Sequence, residues 1–194
     1  EKKLQTSEGA NGHNVTTRSL IAVKLTTENE NKEPVELSEA IGARGQYEDE
    51  FESMDTIILA LDKLYAQLLD KKEAVQPISG YHDVILASDL AGILAHEAIG
   101  HTTEADIVRA GSVAADYLNK KVASDLITLV DFANTYEGET LPVPIYLDDE
   151  GVESLDAVII EDGVLKSYMH NKDSAQHFGM PLTGNARAFS YTDE

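Results

Sequence analysis

The sequence predicts an α+β fold, with an N-terminal α+β unit followed by a mostly β region that carries a buried helix. Three observations support this prediction. Apolar residues recur every three or four positions between residues 52 and 70, as on one face of a helix. Short runs rich in β-branched residues occur on both sides of that segment. An Asp-Gly pair at residues 162–163 separates two of the later runs, as in a β-hairpin.

The first predicted unit covers residues 1–76. Residues 19–25 (SLIAVKL) are typical of a strand, and the Gly-spaced residues 41–45 (IGARG) predict a turn. The helix at 52–70 follows, with one apolar stripe made of Met54, Ile57, Ile58, Leu61, Leu64, Tyr65 and Leu68. Residues 71–80 end that helix and contain Pro77 and Gly80, so we place the domain boundary there.

The second predicted unit covers residues 77–194 and opens with a strand at residues 81–87 (YHDVILA). Ser88 or Asp89 then caps a helix that runs to about residue 99 and that Gly100 ends. This helix carries apolar residues on nearly every face, so we expect it to be buried. Further predicted elements are strands at 126–132, 143–147, 157–160 and 164–169 and a short helix at 171–178.

Charge and composition limit the classes of partner. The 194 residues include 15 basic and 35 acidic side chains, a formal net charge of −20, without a compensating basic patch. Phosphate backbones are repelled by such a surface, so neither nucleic acid nor an anionic membrane is an expected partner. No apolar run approaches the ~20 residues of a membrane helix. Cysteine is absent, which excludes disulfides and thiolate nucleophiles and fits a cytoplasmic location.

One motif, His96-Glu97-Ala98-Ile99-Gly100-His101, contains the parts of a metallohydrolase site. Neutral imidazoles bind zinc, and a neighbouring carboxylate takes a proton from metal-bound water. In the common H-E-x-x-H spacing both rings share one helix face. Here the step is five residues, which on an ideal helix places the rings ~140° apart. Gly100 can leave helical geometry and return His101 beneath His96; the alternative is two unrelated histidines.

Two acids follow the second histidine closely. Glu104 and Asp106 are available as a further ligand or as acceptors for the imidazole N–H groups. The alternative for both is an ordinary role as acidic residues in the first turn of a helix. Functional roles are not expected for the other histidines, which are His13, His82, His170 and His177.

The segment from residue 96 to residue 106 (HEAIGHTTEAD) resembles the signature of the TldD/PmbA family, specifically its TldD-like, metal-binding members. Three later segments resemble the family in the same order: residues 147–151 (LDDEG), 160–169 (IEDGVLKSYM) and 179–187 (GMPLTGNAR). The resemblance is strong over residues 80–190 and weak over residues 1–75. PmbA-like members lack the His-Glu-x-x-x-His element, so this chain resembles the catalytic type.

The resemblance implies a zinc-dependent peptidase that acts on unfolded or small peptides, with a PmbA-like partner subunit or as a homodimer. It assigns His96 and His101 as metal ligands and Glu97 as the general base that activates metal-bound water. The alternative within the family is a non-catalytic peptide-binding scaffold. The older family label, modulator of DNA gyrase, has no support in a chain of net charge −20.

The resemblance also concerns the third metal ligand. In the family this ligand is a cysteine far downstream of the histidines, and the present sequence contains no cysteine. We therefore expect the chain to be an internal piece of a longer protein. Since a catalytic zinc site usually has three protein ligands, the chain alone is expected to bind Zn²⁺ weakly or not at all.

Overall fold

The computed structural model describes residues 1–51 and 53–188, which divide into two compact units. One unit is Thr16–Asp83, and the other combines Glu1–Val15 with the chain from Val84 onward. The first fifteen residues therefore pack with the later part of the chain. The domain boundary near residue 77 stays a prediction, since packing units need not coincide with family domains.

The N-terminal hairpin consists of β1 (Lys2–Gln5) and β2 (Asn11–Asn14), which pair antiparallel. Side-chain contacts join this hairpin to the later chain. The Lys2 ammonium donates to the Leu147 carbonyl at 3.0 Å, and Glu8 forms an ion pair with Lys172. These contacts explain why residues 1–15 belong to the second unit.

In the unit Thr16–Asp83, β3 (Arg18–Glu28) pairs antiparallel with β4 (Pro34–Arg44) over eleven residues each. The predicted strand at 19–25 is confirmed within β3. The predicted turn at 41–45 is wrong, because Ile41 to Arg44 continue the ladder and pair with residues 18–21 of β3. Only Gly45 leaves extended geometry, with a φ of 135°.

The short helix α1 (Tyr47–Glu50) precedes α2 (Met54–Lys72), which confirms the predicted helix. The Ser53 hydroxyl caps α2 by accepting a hydrogen bond from the Asp55 N–H at 3.1 Å. The helix packs on the β3–β4 hairpin, and the buried face is narrower than the predicted stripe. Of that stripe, Ile57, Leu64 and Leu68 are buried; Met54, Ile58 and Tyr65 are exposed.

The second unit contains α-helices, short π-helical and 3₁₀ turns, and a three-stranded sheet. In chain order its elements are α3 (Ser88–Leu94), a π-helical turn (Ala95–Gly100), a 3₁₀ turn (His101–Thr103), α4 (Ala105–Arg109), a 3₁₀ turn (Val113–Asp116), β5 (Leu129–Asp131), β6 (Thr135–Tyr136), β7 (Glu139–Thr140), β8 (Ala157–Glu161), β9 (Val164–Leu165) and α5 (Lys172–Phe178). Strands β5, β8 and β9 lie antiparallel in that order. None of the helices described is both long enough and apolar enough for a bilayer crossing.

The core of this unit lies between α4, the 3₁₀ turn at 113–116 and the β5–β8–β9 sheet. Its buried residues are Ala105, Val108, Ala114, Ala157, Ile159, Ile160, Leu165 and Tyr168. The Tyr168 hydroxyl is satisfied inside this core because it donates to the Ala114 carbonyl at 2.9 Å. The α+β fold class is thus confirmed, whereas several of the predicted elements are not.

Two predicted strands are absent, and the motif helix is not buried. Residues 81–87 and 143–146 belong to no strand, and Leu147 forms only an isolated bridge with Glu153. Only Leu129–Asp131 of the predicted strand at 126–132 forms. An apolar run becomes a strand only where another strand supplies hydrogen bonds, and none of the described strands pairs with residues 81–87.

Helix α3 exposes Leu90, Ile93 and Leu94 by 52–58%. Apolar composition on all faces therefore predicted burial wrongly here.

The local signals of the later chain are confirmed. Asp162 and Gly163 form the two-residue turn between β8 and β9, with φ angles of 48° and 77°. The predicted helix at 171–178 is α5, and a reciprocal capping box between Asn171 and Ser174 fixes its start. Gly179 ends it in the left-handed conformation, with φ 63°.

We predict that Gly163→Ala destabilises the second unit more than Gly138→Ala does. Both glycines occupy the second position of a two-residue turn at positive φ, which costs an alanine about 1–2 kcal/mol. A Cβ at Gly163 also lies 2.5 Å from the Ala123 carbonyl oxygen, whereas a Cβ at Gly138 meets nothing within 4 Å. Overpacking adds about 1–3 kcal/mol. Urea unfolding measures the difference; equal losses in the two variants contradict the described packing.

His170 is a fully buried histidine beside this core. Its backbone N–H donates to the Thr183 hydroxyl at 2.9 Å, and its Nδ1 lies 3.3 Å from the Ser174 hydroxyl. Nε2 has no hydrogen-bond partner within the described part of the chain. Burial lowers the pKa of His170, because the charged imidazolium loses its hydration. Sequence reasoning expected no role for this residue, and its role in the fold is that of a buried neutral side chain.

We predict that His170 makes stability fall with acidification. The folded protein holds the ring neutral, while the unfolded chain protonates it near its ordinary pKa of about 6.5. The stabilisation that comes from the neutral ring is therefore fully present above that pH. It is lost as the pH falls towards the lower pKa that His170 has in the folded protein. Between about pH 7.5 and 5.5, the wild type should lose more unfolding free energy than His170→Gln. His177→Gln removes an exposed histidine of α5 and should keep the wild-type loss; equal losses in all three proteins contradict the prediction.

Candidate metal centre

A π-helical turn brings the two motif histidines together. Ala95–Gly100 follows α3 without a break, and the His101 N–H donates to the His96 carbonyl, an i→i+5 hydrogen bond. The wider turn compensates for the five-residue step that separates the rings on an ordinary helix. The two imidazole centroids lie 4.6 Å apart, with the rings inclined at 78°. Rings expected ~140° apart on an ideal helix are therefore neighbours.

Gly100 does not have the predicted role. It keeps right-handed helical geometry, with φ −51° and ψ −65°, and His101 continues in the same conformation. A Cβ added at Gly100 meets only the Ala95 carbonyl oxygen, at an ordinary 3.6 Å. The rings approach through the wider hydrogen-bonding pattern of the whole turn. Gly100 neither ends the helix nor swings the second histidine back.

Hydroxyl groups of the residues after His101 donate hydrogen bonds to carbonyls of the turn. Thr102 Oγ1 donates towards the carbonyls of Ala98 and Ile99, each at 3.0 Å. Thr103 Oγ1 is buried and donates to the Ile99 carbonyl at 2.8 Å. Ser112 Oγ in turn donates to the Thr102 carbonyl at 2.7 Å. Such side-chain bonds to helix carbonyls favour departures from α-helical geometry, and the Thr-Thr pair after His101 was the signal that sequence reasoning missed.

The arrangement of His96, Glu97 and His101 suits a metal ion. Each offers one ligand atom, these atoms lie within 4.8 Å of one another, and all three residues are exposed. Zinc ligands at about 2.0–2.1 Å from the ion lie roughly 3.4 Å apart in a tetrahedral site. Small rotations of exposed side chains would close that difference. The two imidazoles suit zinc as ligands, and the carboxylate beside them suits either a further ligand or a base for metal-bound water.

The carboxylates around His101 lie at different ring nitrogens. Glu97 Oε2 is 3.8 Å from Nε2 of His101, and Glu104 Oε1 is 2.6 Å from Nδ1. Asp106 contacts no histidine in the structure as described, and its carboxylate accepts from the Ile107 N–H at 2.9 Å. Of the two acids singled out after the motif, only Glu104 therefore lies at the site.

The remaining histidines lie elsewhere. His13 pairs with Glu1 on the N-terminal hairpin, His82 contacts the Ile78 carbonyl, and His177 packs against the Phe178 ring. Residues 1–51 and 53–188 contain one group of three or more His, Asp or Glu side chains with metal-ligand spacing, the one at residues 96, 97 and 101.

An open, mainly apolar groove of about 370 Å³ begins at the motif turn. Its floor consists of buried residues of the core, including Ala114, Ile160 and Leu165. Ala98 and Thr102, which directly follow Glu97 and His101 in the sequence, are among its lining residues. The other lining residues are Ile99, Thr103, Val113, Tyr117, Lys121 and Val122. The lining residues thus include sequence neighbours of the candidate ligands but not His96, Glu97 or His101 themselves.

Comparison with protein families identifies the later part of the chain. Residues 79–194 match the model described as the PmbA/TldA metallopeptidase C-terminal domain. The chain is 35% identical to a zinc metalloprotease TldD homologue of Saccharolobus solfataricus over 158 residues, which is 81% of this chain and 34% of that protein. It is 46% identical to a metalloprotease of Methanocaldococcus jannaschii over 110 residues, 56% of this chain and 24% of that protein. The chain thus spans about a third or less of these relatives.

Solved structures share the fold. A Bacteroides thetaiotaomicron protein described as a modulator of DNA gyrase superposes with a TM-score of 0.73 at 18% identity, over 93% of this chain and 39% of that one. TldE from Thermococcus kodakarensis gives 0.62 at 18% identity, over 96% and 40%. At that identity the likeness concerns the fold alone. The family match confirms the resemblance seen in the sequence motifs, and the chain belongs to the PmbA/TldD metallopeptidase family.

Proposed function

We propose that this chain carries the metal site of a zinc-dependent peptidase that acts on unfolded or small peptides. The observation that carries the proposal is the clustering of His96, Glu97 and His101 on one π-helical turn, with ligand atoms within 4.8 Å. Family membership supports it, since the curated relatives are named metalloproteases. The function of the whole protein is included in this proposal, because the chain covers only part of those relatives.

In this proposal each side chain has one task. His96 and His101 hold the ion through ring nitrogens. Zinc bound there supplies a Lewis acid that polarises the scissile carbonyl and makes water more acidic. Glu97 accepts the proton of the attacking water and then donates it to the leaving amine. Its carboxylate lies on the Nε2 side of His101, at 3.8 Å, close enough for a shared water to join the two groups.

The third protein ligand is proposed to come from outside this chain. The sequence contains no cysteine, whereas the family resemblance assigns this position to one. A catalytic zinc site usually has three protein ligands and an open position for water. Two imidazoles alone should hold zinc weakly, so tight binding requires the full-length protein.

Substrate, partner and location are also proposals. The apolar groove that begins at the motif turn could receive an apolar side chain of an extended peptide. A partner subunit of the PmbA type, with a homodimer as the alternative, is proposed from the family membership. A cytoplasmic location rests on the cysteine-free sequence alone. A scaffold that binds peptides without cutting them is the competing function, and the Glu97 variant below separates the two.

We predict that Glu97→Gln in the full-length protein keeps zinc affinity but lowers peptide hydrolysis by at least about 100-fold, because the amide occupies the same space and cannot accept the proton. Zinc titration and peptide turnover measure the two effects. Glu161→Gln removes an exposed acid of β8 and serves as the charge-matched control. Undiminished turnover in Glu97→Gln contradicts the assigned base, and absence of turnover in the wild type favours the scaffold.

We predict that Gly100→Ala preserves the metal site. The residue has ordinary helical geometry and space for a Cβ, and alanine is a better helix former by about 0.5–1 kcal/mol. Zinc affinity of the full-length variant should stay within about threefold of the wild type, which corresponds to less than 1 kcal/mol. A tenfold or larger loss would mean that Gly100 adopts a non-helical conformation when metal binds.

A further inference from the structure

The two ring nitrogens of His101 face different carboxylates. Glu104 Oε1 lies 2.6 Å from Nδ1, a short hydrogen bond, while Glu97 Oε2 lies 3.8 Å from Nε2, beyond hydrogen-bond distance. A neutral imidazole carries its proton on one nitrogen and a lone pair on the other. An ionised carboxylate only accepts hydrogen bonds, so Glu104 favours the proton on Nδ1. The lone pair of Nε2 then points to the side where the Glu97 carboxylate lies.

Glu104 is held by the core, unlike the helix that precedes the motif. The Met169 N–H donates to the Thr103 carbonyl, and the Ala105 N–H donates to the Met169 carbonyl, both at 3.0 Å. These two hydrogen bonds form a parallel β-bridge that holds the Glu104 backbone beside Met169. Thr103 and Ala105 are buried on either side of it. The Glu104 side chain therefore extends from a fixed point towards an exposed imidazole.

We propose that Glu104 is a positioning residue that holds His101 in the Nδ1–H tautomer and presents Nε2 to the metal ion. This inference rests on the proposed function, because it names the orientation of one proposed ligand. Carboxylates that accept the second ring N–H of a metal-bound histidine fix its orientation and make it a stronger ligand. Glu104 would thus act through His101 without touching the ion.

The two proposed ligands are then unequal before metal binds. The ring nitrogens of His96 have no hydrogen-bond partner among the residues described, and its ring lies nearly perpendicular to that of His101, with the centroids 4.6 Å apart. Nothing in these contacts selects one tautomer of His96. We expect the tautomer of His101 to be fixed before metal binding and that of His96 to be fixed only by metal binding.

The first arm of the test uses this chain without metal. Long-range ¹H–¹⁵N NMR at about pH 8.5, at which free imidazole is neutral, reports which nitrogen carries the proton. Wild-type His101 should be the Nδ1–H tautomer. Glu104→Gln should largely keep it, because the amide oxygen can still accept, and Glu104→Ala should shift it towards Nε2–H. Asp106→Ala, which removes an equal charge two residues away, should leave it unchanged.

The second arm measures zinc affinity in the full-length protein. Glu104→Ala should weaken binding about 10–100-fold, Glu104→Gln less, and Asp106→Ala by no more than about threefold. A thermal scan of each variant separates loss of ligation from loss of fold.

The outcomes distinguish the two proposals. An Nε2–H tautomer in the wild type, an unchanged tautomer in Glu104→Ala, or equal zinc affinity in Glu104→Ala and the wild type overturns the positioning role and leaves the peptidase proposal standing. Equal losses of zinc affinity in Glu104→Gln and Glu104→Ala would instead indicate that Glu104 is a direct ligand. A full-length wild type that binds no zinc overturns the proposed function, while the tautomer arm still decides whether Glu104 orients His101.

Discussion

The hydrogen bond from the His101 N–H to the His96 carbonyl is the constraint on which the candidate site depends. In an α-helix the N–H of residue 101 would donate to the carbonyl of residue 97, and the two rings would lie on different faces of the helix. The i→i+5 bond widens the turn so that residues five apart lie one above the other. A His-Glu-x-x-x-His motif is therefore the π-helical counterpart of the familiar His-Glu-x-x-His arrangement. π-helical turns are rare and occur often at functional sites, which suits this interpretation.

The turn is anchored mainly on its C-terminal side. The Thr102 and Thr103 hydroxyls donate to its carbonyls, and the Ser112 hydroxyl donates to the Thr102 carbonyl. Backbone hydrogen bonds on either side of Glu104 join the following residues to Met169. On the N-terminal side, α3 exposes most of its apolar surface. Since the histidines themselves are exposed, rigidity has to come from the residues that follow the motif. The sequence TTE after the second histidine is in this account as much a part of the site as the motif.

Sequence reasoning succeeded where the signal is local. The periodicity of α2, the Asp162-Gly163 turn and the caps of α5 each require only a few neighbouring residues, and all are present. It failed where the outcome depends on distant partners. Residues 81–87 have the composition of a strand but no strand beside them, and α3 has the composition of a core helix but an exposed position. The motif residues can be recognised from the sequence pattern, whereas their geometry cannot. A five-residue step separates the two rings on an α-helix, and only the π-helical turn brings them together. The hydroxyls after His101 carried the missing information.

Zinc K-edge X-ray absorption of the zinc-loaded full-length protein shows whether one turn places both histidines on a single ion. Scattering from imidazole rings is distinctive, so the number of histidine ligands per zinc can be counted. We expect two imidazoles per zinc in the wild type and one after His96→Ala or His101→Ala. A wild-type spectrum with fewer than two imidazoles, or one that neither substitution changes, would contradict it.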